Sequence, residues 1–391
     1  MCMENEVGVC RQKDSDEIPI FEPGDGRIPL FMPHVPKGAA ERVTHTLGTR
    51  WIGQGPQVDF FEKQMSERFF DGNSALAVGS GTDALHLAYL LAGLKQGDEV
   101  LTPVFTCTAT NIPLLYMGVE PVFVDVDPNT LNFDVAHARQ MASEKTKAII
   151  CVHYAGLPCD MDQIHELGRE LDVPVIEDAA HAVGATYKGN PVGSLSDFTM
   201  FSFQAIKHIT TGDGGMLTFR DQGLLGLAQS LRWFGIDRTK KQKGIWENDI
   251  SEVGYKYQMT DISAAMGIAA LEEWDETFAL RQSLLNRYND NLAGFNDLRV
   301  LSAPQPDRQH AAWLFTVSAM ERRNLQQKLA DNLIESNQVH YRNDRYSIFG
   351  TRRNNLPNMD AIEDDYLCLP LHTQMSVDDV DRICAVIKSG W

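Results

Sequence analysis

Short apolar strands alternate with helices along most of the chain, and this alternation constrains the fold more than any other feature. From about residue 38, apolar segments bounded by polar turns are separated by segments with helical spacing. The predicted strands are EVLTPVF (99–105), EPVFVDVD (120–127), KAIICVHY (147–154), VPVIEDAA (173–180), FTMFSF (198–203) and GGMLTF (214–219). Strands that alternate with helices form βαβ units around a parallel sheet. The sequence therefore predicts an α/β fold with a mostly parallel sheet.

The length of 391 residues allows about two or three domains. Closely spaced prolines and glycines predict an N-terminal arm over residues 1–27. A large domain is expected over 28–275 and a smaller C-terminal α/β domain over 276–391. One long helical pattern, 260–285, is expected to link the two. The C-terminal part carries a predicted strand, AAWLFTVSA (311–319), and two predicted helices.

The charge balance excludes several kinds of partner. Asp and Glu total 53 and Lys and Arg total 35, which gives a net charge of −18. Such an acidic protein is a poor match for nucleic acid or an anionic membrane, because both require cationic surface.

The sequence also lacks the patterns of a membrane span, a signal peptide and a zinc site. No apolar run approaches 18 residues, and the N-terminus lacks the apolar core of a signal peptide. The seven cysteines form no CxxC pair. We therefore expect a cytoplasmic protein without a metal site.

Two segments carry groups that suit an anionic ligand with a cationic ring. Gly79-Ser80-Gly81-Thr82 separates a strand-like segment from a helix, where exposed amides bind phosphate well. The alternative is a tight turn with a capping threonine. Glu177 and Asp178 end an apolar strand, at the sheet edge where α/β proteins bind ligands. A carboxylate there could bind a ring nitrogen or a metal, or could cap the next helix, and His181 three residues later could be a surface histidine.

A lysine follows another strand end. Lys207 lies in the mostly uncharged segment FSFQAIKHITTGDGG (201–215), five residues after Ser202. A partly buried lysine can form a Schiff base with an aldehyde, although most lysines are simply exposed in turns. A phosphate-binding turn, a strand-end carboxylate and a lysine follow in this order. Pyridoxal 5′-phosphate requires all three, because it has a phosphate, a ring nitrogen and an aldehyde. The sequence therefore predicts this cofactor.

A basic loop, RWFGIDRTKKQKG (232–244), interrupts this acidic chain. It is either an ordinary solvated loop or a gate that attracts an anionic substrate. Both interpretations stay open at this point.

These segments and several others resemble the sugar aminotransferases of the DegT/DnrJ/EryC1/StrS family, which have the type I pyridoxal-phosphate fold. The likeness covers nearly the whole chain from about residue 28. The segments that carry it are Gly53-x-Gly55-Pro56, SGTDAL (80–85), PVFTCTATNIP (103–113), VHYAGLPCDMD (152–162), EDAAHAVGA (177–185), FSFQAIKHITTGDGG (201–215), VGYKYQMTDISAAMG (253–267) and LCLPLH (367–372). The resemblance implies a large domain built on a mostly parallel seven-stranded sheet and a smaller C-terminal domain.

The resemblance also implies roles for residues around the cofactor. Lys207 would form the Schiff base and Asp178 would pair with the ring nitrogen. Relatives that replace the lysine by histidine perform dehydration, and Lys207 argues against that branch. The residues implied at the cofactor are Gly81, Thr82, Cys107, Asp178, His181, Ser202, Lys207 and Lys256.

Two of these positions depart from the family pattern. Cys107 stands where the family usually carries an aromatic residue that stacks on the cofactor ring. Lys256 stands at the asparagine of the family's Asn-Tyr-Arg-Met, which commonly reaches the phosphate of the neighbouring subunit. The resemblance therefore implies a homodimer with shared active sites, in which Lys256 is the candidate to cross between subunits.

The segment 340–345 replaces the family's usual HY-x-PLH and forms a different substrate wall. It is more similar to outlying members that aminate free or phosphorylated sugars, one of which makes 8-amino-3,8-dideoxy-octulosonate for lipopolysaccharide. The expected reaction transfers an amino group from L-glutamate, which leaves as 2-oxoglutarate, to a keto-sugar such as 8-keto-3-deoxy-octulosonate or a nucleotide- or phosphate-linked sugar. The alternatives are a dehydratase or lyase and a non-catalytic regulator. The candidate substrate-binding residues are Arg238, Tyr341, Arg342 and Arg345.

Overall fold

The structure, a computed structural model, describes residues 26–238, 240, 243–247, 249–301 and 303–391. Residues 1–25, which make up nearly all of the predicted arm, and part of the basic loop lie outside the described residues. In the part of the chain that is described, we find no helix with the length and apolar character needed to cross a membrane.

The strands within the described residues are numbered in chain order. They are β1 (Ser74–Val78), β2 (Glu99–Pro103), β3 (Phe105–Thr106), β4 (Glu120–Val124), β5 (Thr146–Val152), β6 (Val175–Asp178), β7 (Thr186–Tyr187), β8 (Asn190–Pro191), β9 (Phe198–Ser202), β10 (Gly215–Phe219), β11 (Leu298–Leu301), β12 (Arg308–Gln309), β13 (Phe315–Ala319), β14 (Tyr341–Arg342) and β15 (Tyr366–Leu369).

The α-helices of the described residues are numbered in the same way. They are α1 (Ala39–Leu47), α2 (Pro56–Phe69), α3 (Gly81–Leu91), α4 (Thr108–Tyr116), α5 (Val135–Met141), α6 (Met161–Leu171), α7 (Leu225–Leu231), α8 (Asp261–Glu272), α9 (Trp274–Leu292), α10 (Arg322–Asp331), α11 (Pro357–Ile362) and α12 (Val377–Lys388).

A seven-stranded sheet in the order β1-β10-β9-β6-β5-β2-β4 forms the centre of the molecule. The neighbours from β9 to β4 run parallel, whereas β10 runs antiparallel to both β9 and β1. Every predicted strand of this sheet is present. Strands β6 and β9 are buried along their whole length, because helices cover both faces of the sheet. The prediction of a mostly parallel α/β sheet is confirmed.

The sheet register brings two predicted site residues to one edge. Strands β6 and β9 are parallel neighbours, and Asp178 pairs with Met200, two residues before Ser202. Neighbouring parallel strands end at the same edge of a sheet, so the carboxyl end of each strand carries its polar residue to that edge. Lys207 follows β9 on the same side of the molecule.

The long helix predicted over 260–285 is two helices, α8 and α9, which meet at Glu273. Glu273 interrupts the helix with φ −98° and ψ 2°, and its carboxylate accepts a hydrogen bond from Lys37 N at 2.9 Å. Trp274 of α9 packs edge-on against Phe69 at 4.9 Å, whereas Leu284 packs in a cluster formed mainly by the C-terminal region. Helix α9 therefore joins two apolar clusters, and the domain division at residue 275 stays a prediction.

The C-terminal region reaches back to the carboxyl edge of the central sheet. Strand β14 pairs with β3, and β12 pairs with β7. The carbonyl oxygen of Ala155 accepts hydrogen bonds from Trp313 N at 3.0 Å and from Leu314 N at 3.2 Å. These pairings place residues 311–314 and 341–342 beside the ends of β5 and β6.

We expect Gly156→Ala to destabilise the fold where the C-terminal region contacts this edge. Gly156 has φ +103°, and a Cβ there would lie 2.9 Å from the carbonyl oxygen of His181 and 3.1 Å from Ala311 Cβ. Backbone strain and overpacking together predict a loss of about 3 kcal/mol or more in chemical denaturation. The control is Gly189→Ala, because Gly189 has φ +81° and open space around it. This variant should lose only about 1–2 kcal/mol, and equal losses in the two variants would contradict the close approach at Gly156.

Candidate active site

The amino end of helix α3 forms an anion-binding turn against strand β9. The side chain of Ser80, the N-cap residue, accepts a hydrogen bond from Asp83 N at 3.1 Å. The amides of Gly81 and Thr82 have no acceptor within the helix, as is usual in a first turn. A Cβ at position 81 would lie 3.1 Å from Ser202 Cβ, so glycine allows the turn to approach the strand. Two amides and the Ser202 hydroxyl therefore lie where a phosphate could bind.

Asp178 is a buried carboxylate with a defined orientation. Its side chain is 4% exposed, its Oδ2 accepts a hydrogen bond from Thr110 Oγ1 at 2.7 Å, and its Oδ1 accepts one from Ala180 N at 3.1 Å. Burial raises the pKa of Asp178, whereas the Thr110 hydrogen bond and the nearby Lys207 charge oppose this shift. Such a carboxylate gains from a cationic partner in the site.

The neighbouring Glu177 has a different role, because successive strand residues point to opposite faces of the sheet. Its Oε2 lies 2.7 Å from Nε2 of His153, and both side chains are fully buried. Thr199 donates a hydrogen bond to its Oε1 at 3.1 Å. Glu177 therefore belongs to a buried structural pair, and Asp178 is the carboxylate of this strand that faces Lys207.

Lys207 is half-buried and lies over an aromatic ring. Its Nζ is 3.8 Å from the centroid of Trp313, whose Nε1 donates a hydrogen bond to Ile206 O at 3.1 Å. Burial lowers the pKa of Lys207 to about 8, and the charge of Asp178 opposes this shift. The amine is therefore available in its neutral, nucleophilic form at a much lower pH than an exposed lysine.

His181 is 3% exposed and belongs to a stack of rings beside Lys207. Its ring lies 3.7 Å from that of Trp313, centroid to centroid, with 8° between the planes, and its Nε2 is 3.4 Å from Nε2 of His340. Burial and the charge of Lys207 hold the pKa of His181 well below its ordinary value, so the imidazole is neutral. In the part of the chain that the structure describes, His181 Nδ1 is buried without a hydrogen-bond partner. A bound polar group would satisfy it.

Sequence reasoning missed Thr110 and Trp313, and although it placed the segment 340–345 in the substrate wall, it did not predict that His340 stacks on His181. Thr110 lies in PVFTCTATNIP, a segment that carries the resemblance, but nothing in that pattern shows that its hydroxyl reaches Asp178. The sequence predicts Trp313 only as part of the strand 311–319, whereas the strand begins at Phe315 and Ala312 adopts φ +58° just before the tryptophan. This left-handed residue turns the chain toward Lys207, and no sequence signal marks it.

Two cofactor candidates lie nearer the surface. Cys107 is the N-cap of α4 and is exposed. A charge on Cys107 would raise the pKa of Lys207, which places the sulfur near the amine. Lys256 is exposed and lies over the ring of Phe234 at 5.4 Å. The residue after it, Tyr257, accepts a hydrogen bond from Gly79 N at 2.7 Å, so this segment borders the phosphate-binding turn.

Arg342, expected in the substrate wall, is buried among carboxylates. The guanidinium of Arg342 is 2% exposed and pairs with Asp344 at 2.6 Å, with Glu363 at 3.3 Å and also with Asp360. These carboxylates occupy most of its donors, which disfavours a direct contact with substrate, and the role of Arg342 in the substrate wall stays a prediction. Arg345 is exposed and lies 4.4 Å from the ring centroid of the half-buried Tyr341.

Arg238 lies at a separate cleft. Its Nη2 donates to Gln54 O, whereas its Nη1 is buried and has no hydrogen-bond partner among the described residues. The cleft, about 650 Å³, is also lined by Trp51 and Trp246. Lys207 and Asp178 do not line it.

The residues present fit pyridoxal phosphate. The turn at Gly81 offers amides for a phosphate, Asp178 offers a buried carboxylate for the ring nitrogen, and Lys207 offers an amine of lowered pKa. The unpartnered His181 Nδ1 lies in the same stack of rings that contacts Lys207. This combination of donors matches a phosphate, a cationic ring and an aldehyde in one ligand.

Comparison with known proteins identifies the class. The chain belongs to the DegT/DnrJ/EryC1/StrS aminotransferase family, which it matches over residues 34–388. It is 35% identical over 368 residues to the GDP-perosamine synthase of Escherichia coli O157:H7, covering 93% of this chain and 98% of that protein. It is 33% identical over 380 residues to the UDP-4-amino-4-deoxy-L-arabinose–oxoglutarate aminotransferase of Shewanella sediminis, covering 92% and 97%.

A solved structure agrees. Spr1654 of Streptococcus pneumoniae in its PLP form superposes with a TM-score of 0.86 at 30% identity, covering 93% of this chain and 98% of that one. The predicted family, the type I fold and the assignment as a pyridoxal-phosphate-dependent sugar aminotransferase are confirmed. The roles of the individual site residues stay predictions.

We expect Lys207 in the apoprotein to titrate with a midpoint near pH 8 because burial lowers its pKa to about 8. Competitive labelling with trace acetic anhydride, quantified by peptide mass spectrometry against an added lysine peptide, measures this midpoint. Asp178→Asn removes a charge that raises the pKa of Lys207, so its midpoint should fall below that of the unmodified protein. A midpoint near 10, or no change in Asp178→Asn, would contradict the arrangement described.

Proposed function

We propose that this enzyme transfers the amino group of L-glutamate to the carbonyl group of a keto-sugar, in the synthesis of a cell-surface polysaccharide or lipopolysaccharide. The observation that carries the proposal is the placement of Lys207, of lowered pKa, near the buried carboxylate of Asp178 at one sheet edge. The name of the Shewanella relative, an oxoglutarate aminotransferase, supports the glutamate–oxoglutarate pair as donor and product.

Pyridoxal phosphate, when bound, supplies the aldehyde that accepts the amino group and the ring that stabilises negative charge at the reacting carbon. The amides of Gly81 and Thr82 and the hydroxyl of Ser202 hold its phosphate. Asp178 holds a proton on the ring nitrogen, because the buried carboxylate stabilises a cationic partner.

Lys207 has two tasks. It would hold the cofactor at its aldehyde carbon, and its amine, when not so bound, would move the proton at the Cα of the amino-acid substrate. The pKa of about 8 lets Lys207 both accept and give up this proton near neutral pH. His181, neutral and stacked on Trp313, confines the site on one side without adding charge.

The acceptor has two candidates. The names of two relatives concern sugars linked to GDP and UDP, which supports a nucleotide-linked keto-sugar. The altered substrate wall at 340–345 supports a sugar acid such as 8-keto-3-deoxy-octulosonate. Both are anionic, and the candidate cations for them are the exposed Arg345 and Arg238, whose Nη1 has no hydrogen-bond partner among the described residues. Both acceptors are therefore assayed.

We also infer a homodimer with shared active sites. Trp246 is 72%, Ile250 54% and Val253 79% exposed, and Trp246 lines the same cleft as Trp51 and Arg238. Exposed apolar side chains so close together in the sequence of an acidic protein suit a protein interface. A second copy that covers these side chains would place Arg238 and its cleft at the interface, where the arginine could approach a substrate in the partner's site.

The test of the function follows the fate of both substrates. The purified protein should absorb visible light, L-glutamate should bleach that absorbance, and a keto-sugar should restore it with formation of one amino-sugar per 2-oxoglutarate. Lys207→Ala should keep the fold and lose turnover by about a hundredfold to ten-thousandfold. Water release without 2-oxoglutarate would identify a dehydratase, and a colourless, inert protein would identify a regulator; either result refutes the proposal.

Mixing two inactive variants tests the shared site. Lys207→Ala lacks the amine, and Lys256→Glu places a negative charge where we propose a contact with the partner's phosphate. If each site takes Lys207 from one chain and Lys256 from the other, half of the sites in a mixed dimer are intact and activity returns. Absence of recovery, with subunit exchange confirmed by native mass spectrometry, would show that Lys256 does not cross.

A further inference from the structure

A chain of two threonine hydroxyls ends on the carboxylate of Asp178. Thr106 Oγ1 lies 2.8 Å from Thr110 Oγ1, and Thr110 Oγ1 lies 2.7 Å from Asp178 Oδ2. Thr106 and Thr110 are 3% and 0% exposed. Water is therefore not available to replace either hydrogen bond.

Proton counting fixes the direction of this chain. An ionised carboxylate only accepts, so Thr110 gives its single hydroxyl proton to Asp178. Thr106 must then be the donor to Thr110 Oγ1. Each hydroxyl is thus oriented by the next group along the chain, and both donate toward Asp178.

The surrounding structure holds Thr110 in place. Tyr89 donates its hydroxyl proton to Thr110 O at 2.7 Å, and Asn343 donates to Thr106 O at 2.8 Å. Asn343 follows strand β14, which pairs with β3, the strand that contains Thr106. The hydroxyl chain is therefore anchored both by helix α3, which contains Tyr89, and by the C-terminal region that carries the predicted substrate wall.

We propose that Thr110 is a positioning residue, which orients the Asp178 carboxylate and stabilises its ionised form. The proton shared between Asp178 and the ring nitrogen of the cofactor then resides on the nitrogen. The inference rests on the proposed role of Asp178. The hydroxyl of Thr110 adds a donor to one carboxylate oxygen, Ala180 N holds the other, and these two bonds fix the plane of the carboxylate. Loss of the Thr110 bond raises the pKa of Asp178 further and moves the shared proton toward the carboxylate.

Strand β9, which neighbours the strand of Asp178, offers a matched control. Thr199 also is buried, at 1% exposure, and also donates its hydroxyl proton to a buried carboxylate, that of Glu177. Glu177 pairs with His153 on the opposite face and does not contact the site. Thr199→Val therefore removes an equivalent hydrogen bond without touching Asp178.

The experiment measures the ring nitrogen directly. Holoenzyme reconstituted with [15N]pyridoxal phosphate reports the protonation of the ring nitrogen by its 15N chemical shift at one pH. Thr110→Val should move the signal toward the unprotonated position and lower kcat by about tenfold to a hundredfold, the usual worth of a hydrogen bond to a charged group. Thr110→Ser should restore both, and Thr199→Val should leave the signal unchanged.

A second pair of variants isolates the hydroxyl if Thr110→Val does not fold. Thr110→Ser and Thr110→Ala both lack the methyl group and differ only in the hydroxyl, so a displaced signal in Ala but not in Ser supports the inference. Equal signals in Ser and Ala, with rates within about twofold, overturn it. Asp178→Asn distinguishes failure of the role proposed for Asp178 from failure of the role proposed for Thr110. If Asp178→Asn also retains the signal of the protonated nitrogen, the assignment of Asp178 fails and the inference about Thr110 fails with it. If Asp178→Asn loses that signal and the Thr110 variants retain it, only the inference about Thr110 fails.

Discussion

The attraction between a buried carboxylate and a partly buried amine organises the active site. Asp178 ends strand β6, and Lys207 follows the neighbouring parallel strand β9. Lys207 lowers the pKa of Asp178 and Asp178 raises the pKa of Lys207, and both effects oppose that of burial. Burying either charge without the other would cost free energy, because the group would lose its hydration. The two groups together complement a ligand that carries both a cationic nitrogen and an aldehyde. The hydroxyl chain from Thr106 and the ring of Trp313 hold the two groups, so much of the surrounding structure serves to keep this pair in position.

The parallel sheet explains why the groups meet although they are far apart in the sequence. Gly81 begins a helix, Asp178 ends β6, and Ser202 ends β9, and the sheet topology brings all three to one edge. The C-terminal region completes the site through short pairings, β14 with β3 and β12 with β7. A chain that folded its apolar clusters without these pairings would lack Trp313 and His340 beside Lys207.

The strands of the central sheet and the positions of Gly81, Asp178, Ser202 and Lys207 were predictable, because apolar runs and polar strand ends are local patterns. The contacts that orient these residues were not. Trp313 reaches Lys207 through a left-handed Ala312, and Thr110 reaches Asp178 across 68 residues of sequence. Arg342, expected in the substrate wall, is paired with three carboxylates, two of which lie 18 and 21 residues further along the chain. Long-range side-chain pairing decides such cases, and a single sequence does not reveal it.

The attachment site of the cofactor tests the central claim most directly. Reduction of the holoenzyme with borohydride, followed by digestion and mass spectrometry, locates the lysine that is bound to pyridoxal phosphate. The arrangement of Asp178, Lys207 and the phosphate-binding turn predicts a single modified residue, Lys207. A label on any other lysine, or no covalent label on a protein that retains its cofactor, would contradict the account of the site.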